Sequence, residues 1–133
     1  MLFRSDLATL TGAVVVALGN DISGIFSNDQ DLAGRISAAG HRAGEKVWQL
    51  PLEEDYMEMI RSDVADMKNS GGRWGGAILA ALLLREFVAD GISWAHIDIA
   101  GPALRDSQSG YRSAGGTGFI VRTMLRYLQD LQA

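Results

Sequence analysis

The sequence predicts an α/β fold. Three observations carry this: helical stretches alternate with short apolar strands, glycine-rich turns separate them, and two apolar runs are too continuous to face water. The chain has 133 residues, which is one domain or part of one. Apolar residues make up 47% and charged residues 21%, which is globular rather than disordered usage. Twelve Lys plus Arg stand against 16 Asp plus Glu, and a net charge of −4 argues against a general nucleic-acid or membrane-surface binder. There is no Cys, so disulfides, thiolate zinc sites and cysteine nucleophiles are excluded. Sixteen Gly against two Pro point to tight turns and close backbone approaches, as at a ligand cleft.

Taken in order, residues 7–18 (LATLTGAVVVAL) fit either a buried strand or a turn at Gly12 followed by a short buried helix. Ile22–Ser27 is a strand candidate. Asn28 and Asp29 can cap a helix with Leu32, Ile36, Ala39 and Ala43 on one face. Trp48–Leu52 should be extended, because a residue before proline is pushed out of the helical region. Asp55–Ser62 reads as a short amphipathic helix behind the acidic residues Glu53 to Asp55, and Val64–Met67 as a short extended piece. Met57, Met59, Met67 and Met124 suit packing better than a cofactor.

The loop from Asn69 to Gly76 holds four glycines, and a buried helix over Ala77–Ala89 follows it. Trp94–Ala100 alternates with period two, as a strand does. Gly101–Gly116 is a polar loop, after which Thr117 can cap a last helix bearing Ile120, Val121, Met124, Leu125, Leu128 and Leu131. The N-terminal residues Met1 to Asp6 lack the features of a secretory signal. The longest apolar run, Ala77–Leu84, is far short of the roughly 20 residues of a membrane span. A cytoplasmic protein is the expectation.

Few residues suggest chemistry by themselves. The glycine loop before Ala77 could cradle an anion, with Arg73 to hold it, but no Lys follows in the manner of a nucleotide-triphosphate loop. A turn that lets the helix approach a neighbour explains the same glycines. His96 and Asp98 share one strand face and could be a metal or base pair, or simply polar groups bonded to nearby backbone. The only other histidine is His41, expected to be exposed, so a His-rich zinc site cannot form within this chain.

A wider pattern is more specific. Asp6-Leu7-Ala8-Thr9-Leu10-Thr11-Gly12-Ala13, Asp21-Ile22-Ser23-Gly24, Trp48-Gln49-Leu50-Pro51-Leu52, Ala65-Asp66-Met67-Lys68-Asn69, Gly71-Gly72-Arg73 and Trp94-Ala95-His96-Ile97-Asp98-Ile99-Ala100-Gly101 occur in this order. With Gly116-Thr117-Gly118 they resemble the leucyl (cytosol) aminopeptidases, the M17 metallopeptidases. The resemblance implies that residues 6–133 are the C-terminal part of a three-layer α/β/α catalytic domain with a mixed sheet. It implies an enzyme that hydrolyses N-terminal residues from peptides, assembled as a homohexamer, with two divalent metal ions (Mn, Zn or Mg).

In that family the metal ligands, a Lys and carboxylates ending in N-T-D-A-E-G-R-L, and the catalytic Arg and Lys lie upstream of the point matched by Asp6. No metal ligand or catalytic residue is therefore expected in this chain, and the chain alone is expected to be inactive. Residues 1–5 do not fit the family's apolar strand and read as a foreign leader or a chance start. Six positions match the family's substrate wall: Thr9, Leu10 and Gly12 by their backbone groups, Ser70, Ala100 and Ala103 as pocket positions. Ala103 stands where a Met often occurs, which implies a roomier pocket. His96 and Asp98 become scaffold on this comparison. The alternative is a non-catalytic module for oligomerisation or partner binding.

Overall fold

A computed structural model describes residues 3–111 and 113–132. Four strands form one mixed sheet: β1 (Phe3–Ala8), β2 (Ile22–Ser27), β3 (Lys46–Gln49) and β4 (Ser93–Asp98), in the order β1-β4-β2-β3. β1 runs parallel to β4, β4 antiparallel to β2, and β2 parallel to β3. The sheet lies between two helical layers. On one face, Ile25, Ala95 and Ile97 pack with Leu32, Ile36 and Ala39 of α2 (Gln30–Ala43) and Tyr127 of α4 (Val121–Asp130). On the other, Phe26 packs with Val14 of α1 (Gly12–Leu18) and with Ala77 and Ala81 of α3 (Gly76–Arg85). The alternation of Ile25 and Phe26 to opposite faces is the two-residue period of a strand, and it yields the expected three layers. Trp94 to Asp98 are all buried, because helices cover both faces of this inner strand.

The ambiguous run 7–18 resolves into strand, turn and helix. β1 stops at Ala8, and Thr11 caps α1 by accepting the Val14 amide at 3.0 Å. Of residues 1–5, Phe3, Arg4 and Ser5 are strand residues in register with Ser93, Trp94 and Ala95, while residues 1 and 2 lie outside the described residues. Polar residues occupy this strand because Asp6 is bonded across it, to the indole N–H of Trp94 at 2.7 Å and to His96 Nδ1 at 2.5 Å.

Other expectations shift. The helix of residues 55–62 is a 3-10 helix over Glu54–Ile60, and residues 63–66 form bends rather than an extended piece. α3 starts at Gly76 and ends at Arg85, four residues short of Ala89. The loop 101–116 contains a small ribbon of β5 (Leu104–Arg105) and β6 (Gly115–Gly116). Thr117 does not cap α4: its hydroxyl donates to the Pro102 carbonyl at 2.7 Å and accepts the Phe119 amide at 3.2 Å. α4 is also not the buried helix that its apolar residues suggest. It buries Thr123 and Tyr127 and exposes Val121, Leu125 and Leu128, as well as Leu131 just past its end.

Asp29 caps α2 as expected, accepting the Asp31 and Leu32 amides at 2.9 and 3.1 Å. The Ser93 hydroxyl, 2.6 Å from its other oxygen, is the chief cause that holds this carboxyl below the usual carboxylate value; the Leu32 amide is the next. A carboxyl whose folded value is depressed stabilises above its unfolded value of about 4 and loses that contribution as pH falls through the folded value. Asp29→Asn should therefore flatten the acid side of the stability curve. Urea midpoints of parent and variant from pH 6 to pH 2 should converge at the acid end; a constant gap would contradict this.

Candidate functional site

β1 and β4 are parallel, so their carboxyl ends emerge together on one edge of the sheet. Ligand sites of open α/β sheets form at such an edge. The turn Thr9–Thr11 leaves β1 there and runs into α1, and residues 99–103 leave β4 beside it. Ala8 and Ile99 are joined by a backbone bond of 2.9 Å, and the Ala103 amide returns to the Ile99 carbonyl at 3.0 Å.

Asp98, the last residue of β4, binds the two exits together. Its carboxylate is fully buried. One oxygen accepts the amides of Leu10 and Ala100, both at 3.1 Å; the other accepts the Thr11 hydroxyl at 2.7 Å. Thus Asp98 is bonded largely to neighbouring backbone, as one of the two sequence readings held. His96 differs. Its Nδ1 faces the Asp6 carboxylate, which can only accept, and its ring lies between those of Phe26 and Trp94 at centroid distances of 6.1 and 6.4 Å. His96 and Asp98 thus serve separate partners. His41 is exposed on α2.

Leu10, Gly12 and Ser70 line one cavity of about 330 Å³, together with Thr11, Asn69, Gly71 and Gly76. Three of the six sequence-derived positions therefore converge although 58 residues separate Gly12 from Ser70. Thr9 is exposed next to them, and Ala100 is half-buried against the cluster of Val14, Phe26 and Ala77. Ala103 is half-buried in the loop that follows, and its carbonyl accepts the Thr117 amide at 3.0 Å. Neither Ala100 nor Ala103 lines this cavity.

The glycine loop permits close approach. A Cβ on Gly71 would come within 2.6 Å of Leu79 Cδ1 of α3, and one on Gly76 within 3.1 Å of Ala13 Cβ of α1, so these glycines let the loop and α3 pack closely against their neighbours. Gly75, at φ +63°, opens α3. Arg73 lies over the Trp74 ring at 5.2 Å and lines a second cavity of about 420 Å³, which shares Ala13 and Gly76 with the first. Gly12 is different: a Cβ there would meet nothing within 4 Å.

Comparison with known proteins then fixes the family. The sequence matches the catalytic domain of the cytosol aminopeptidase family over residues 4–125. The chain belongs to this family. The match includes Arg4 and Ser5, which agrees with their place in β1. It is 57% identical over 123 residues to a probable cytosol aminopeptidase of Gloeobacter violaceus, covering 92% of this chain and 24% of that protein. The chain thus spans about a quarter of the length of the curated relatives it matches. Among solved structures, the bottromycin maturation enzyme BotP in complex with Mn superposes with a TM-score of 0.93 at 45% identity, over 98% of this chain and 29% of that one. A tomato leucine aminopeptidase mutant gives 0.88 at 43% identity, over 95% and 24%. The three-layer fold is thereby that of an aminopeptidase catalytic domain.

Proposed function

We propose that this chain is the peptide-holding part of a metal-dependent aminopeptidase, whose complete form releases N-terminal residues from peptides in the cytoplasm. The observation that carries this reading is the convergence of Leu10, Gly12 and Ser70 on one cavity at the carboxyl ends of β1 and β4, in a chain of this family. Thr9, Leu10 and Gly12 contribute backbone groups to the peptide, and Ser70 lines a side-chain pocket. Ala100 and Ala103 border the pocket for the N-terminal side chain, kept wide by the small Ala103. In this reading the complete enzyme is a homohexamer.

The described residues do not fit a two-metal centre. Among the described residues no three His, Asp or Glu side chains converge, and the carboxylates on β4 and β1 are already taken up, Asp98 by three donors and Asp6 by Trp94 and His96. A divalent ion needs several free oxygen or nitrogen ligands at once. The ligands for Mn, Zn or Mg belong, on this reading, to the remainder of the longer protein. The 133-residue chain given Mn²⁺ or Zn²⁺ and a leucine anilide should show no turnover, while the complete enzyme hydrolyses it. Turnover by the chain alone overturns the assignment of ligands, and an inactive complete enzyme overturns the aminopeptidase reading.

Gly12 offers a sharper check. Alanine there meets open space, and at the first position of α1 it should stabilise the chain by about 0.4–1 kcal/mol through the unfolded state. In the complete enzyme Gly12→Ala should nevertheless raise KM for peptides, because Gly12 lines the cavity that receives them on this reading. A more stable variant with unchanged KM would remove Gly12 from the substrate wall.

A second reading, association with other subunits or partners without catalysis, has one observation in its favour. Val121, Leu125 and Leu128 form an exposed apolar stripe on α4. Sedimentation of the chain, with and without DNA, tests it; a monomer that ignores DNA would end it.

A further inference from the structure

We propose that Asp98 is a positioning residue for peptide binding: its buried carboxylate sets the turn Thr9–Gly12 in the form that receives the peptide and fixes its spacing from Ala100. The proposal rests on the aminopeptidase reading and assigns that site a residue which touches no substrate.

The geometry is specific. An ionised carboxylate removed from water is costly unless each oxygen is bonded, and here three neutral donors satisfy it. Those donors come from both strand exits. Leu10 and Thr11 belong to the turn after β1, Ala100 to the turn after β4, and the amides of Leu10 and Ala100 meet on the same oxygen. The two walls are thus held about one carboxylate oxygen apart, by charge-assisted bonds roughly twice as strong as neutral ones. Thr11 extends the chain of contacts, since its hydroxyl oxygen also accepts the Val14 amide and so starts α1.

Asp98 also determines which way the turn presents its polar groups. The Leu10 N–H points inward to the carboxylate, and the described residues contain no cis peptide. In a planar trans peptide the carbonyl points opposite to the N–H, so the Thr9 carbonyl is turned away from Asp98. Thr9 is exposed. An acceptor fixed in that direction is what the backbone N–H of an extended peptide needs, and ordering it before binding spares the ordering cost at the moment of binding.

Asparagine keeps an acceptor oxygen for the two amides but gives up the charge and the acceptor for Thr11; alanine gives up everything. The test uses the complete enzyme with its divalent metal, and measures KM, kcat, metal content and thermal midpoint for the parent, Asp98→Asn and Asp98→Ala. At unchanged metal content, Asp98→Ala should raise KM by about tenfold with kcat within about twofold, and Asp98→Asn should return KM to within about threefold of the parent. Lower thermal midpoints with parental KM in both variants would make Asp98 purely structural and overturn the proposal. If Asp98→Ala does not fold, Asp98→Asn decides alone: a two- to threefold rise in KM, by our estimate about half the alanine effect in free energy, upholds it, and parental KM overturns it. A parent that does not hydrolyse peptides overturns both the aminopeptidase reading and this inference, whereas an active parent with indifferent variants overturns the inference only.

Discussion

Phe26→Ala should cost about 3–5 kcal/mol, the range for removing a fully buried aromatic ring. That is a large part of the 5–15 kcal/mol by which folded domains exceed their unfolded chains. Phe26 is 0% exposed and lies where four elements meet: it sits on β2, packs under α1 and α3 with Val14, Ala77 and Ala81, and stacks on His96 of β4. Two residues earlier on the same face, Gly24 leaves room for Val14, since a Cβ there would come within 2.8 Å of Val14 Cγ2. The surroundings cannot collapse into the vacated space without dragging α1, and α1 begins at Gly12 of the candidate site. Urea unfolding of the 133-residue chain measures the loss. Phe87→Ala is the control, because Phe87 is 73% exposed and should fall within about 0.5 kcal/mol of the parent. A Phe26 variant that loses less than about 1.5 kcal/mol would mean that the layer under α1 repacks, against the expectation for so closely filled an interior.

The same packing shows why parts of the fold were legible in the sequence. Signals confined to neighbouring residues came through: Asp29 at the cap of α2, the face Leu32, Ile36 and Ala39, and the alternation over Trp94–Ala100, of which the strand takes Ser93–Asp98 and leaves Ile99 and Ala100 to the turn, all depend on spacing within a few positions. Signals that depend on distant partners did not. Phe3 to Asp6 carry too many polar groups to read as a strand, and only pairing with β4, about 90 residues on, gives Asp6 its two donors. The apolar residues of α4 have helical spacing, yet two stripes fit the same pattern. Which one is buried is set by Phe3 and α2, against which Tyr127 packs.

The site was legible to a similar depth. No spacing rule joins Ser70 to Leu10 and Gly12; only the family motifs did so, and the shared cavity is consistent with them. Asp98 was visible as a polar residue on a strand face, but its three donors arise from the parallel pairing of β1 and β4. The surplus of glycine has several causes. Gly101 is needed because a Cβ would overlap the carbonyl oxygen of Gly19, Gly71 and Gly76 because helices approach, and Gly12 for no contact within the chain.

Glu45→Ala should destabilise the chain by about 2–4 kcal/mol, because it strips a buried donor pair and an arginine of one acceptor group. Glu45 is 2% exposed and follows Gly44, the left-handed residue that ends α2. Its carboxylate accepts the Thr123 amide at 3.0 Å and the Thr123 hydroxyl at 2.6 Å, and Arg122 Nε donates to its other oxygen at 3.3 Å. It therefore acts as the cap that α4 lacks locally. Ile120 occupies the cap position at φ +75°, a strained region for a β-branched residue, and offers no side-chain acceptor. A negative charge at a helix N-terminus also complements the helix dipole. Arg122 is held in place by Tyr111, whose hydroxyl bond is the chief cause raising the guanidinium further above its ordinary value, with Glu45 adding to it against burial. The arginine stays charged at every working pH, so Glu45→Ala leaves a cation without its carboxylate as well as two unpaired donors. Glu45→Gln keeps an acceptor and should lose about half as much. Urea unfolding gives the energies, and hydrogen exchange at the Thr123 amide locates them: faster exchange there, with β4 protection falling only by the global loss, is the expected pattern. An alanine variant within about 1 kcal/mol of the parent would show that α4 is held by the packing of Tyr127 and Met124 alone, and that the cap supplied across 78 residues is incidental.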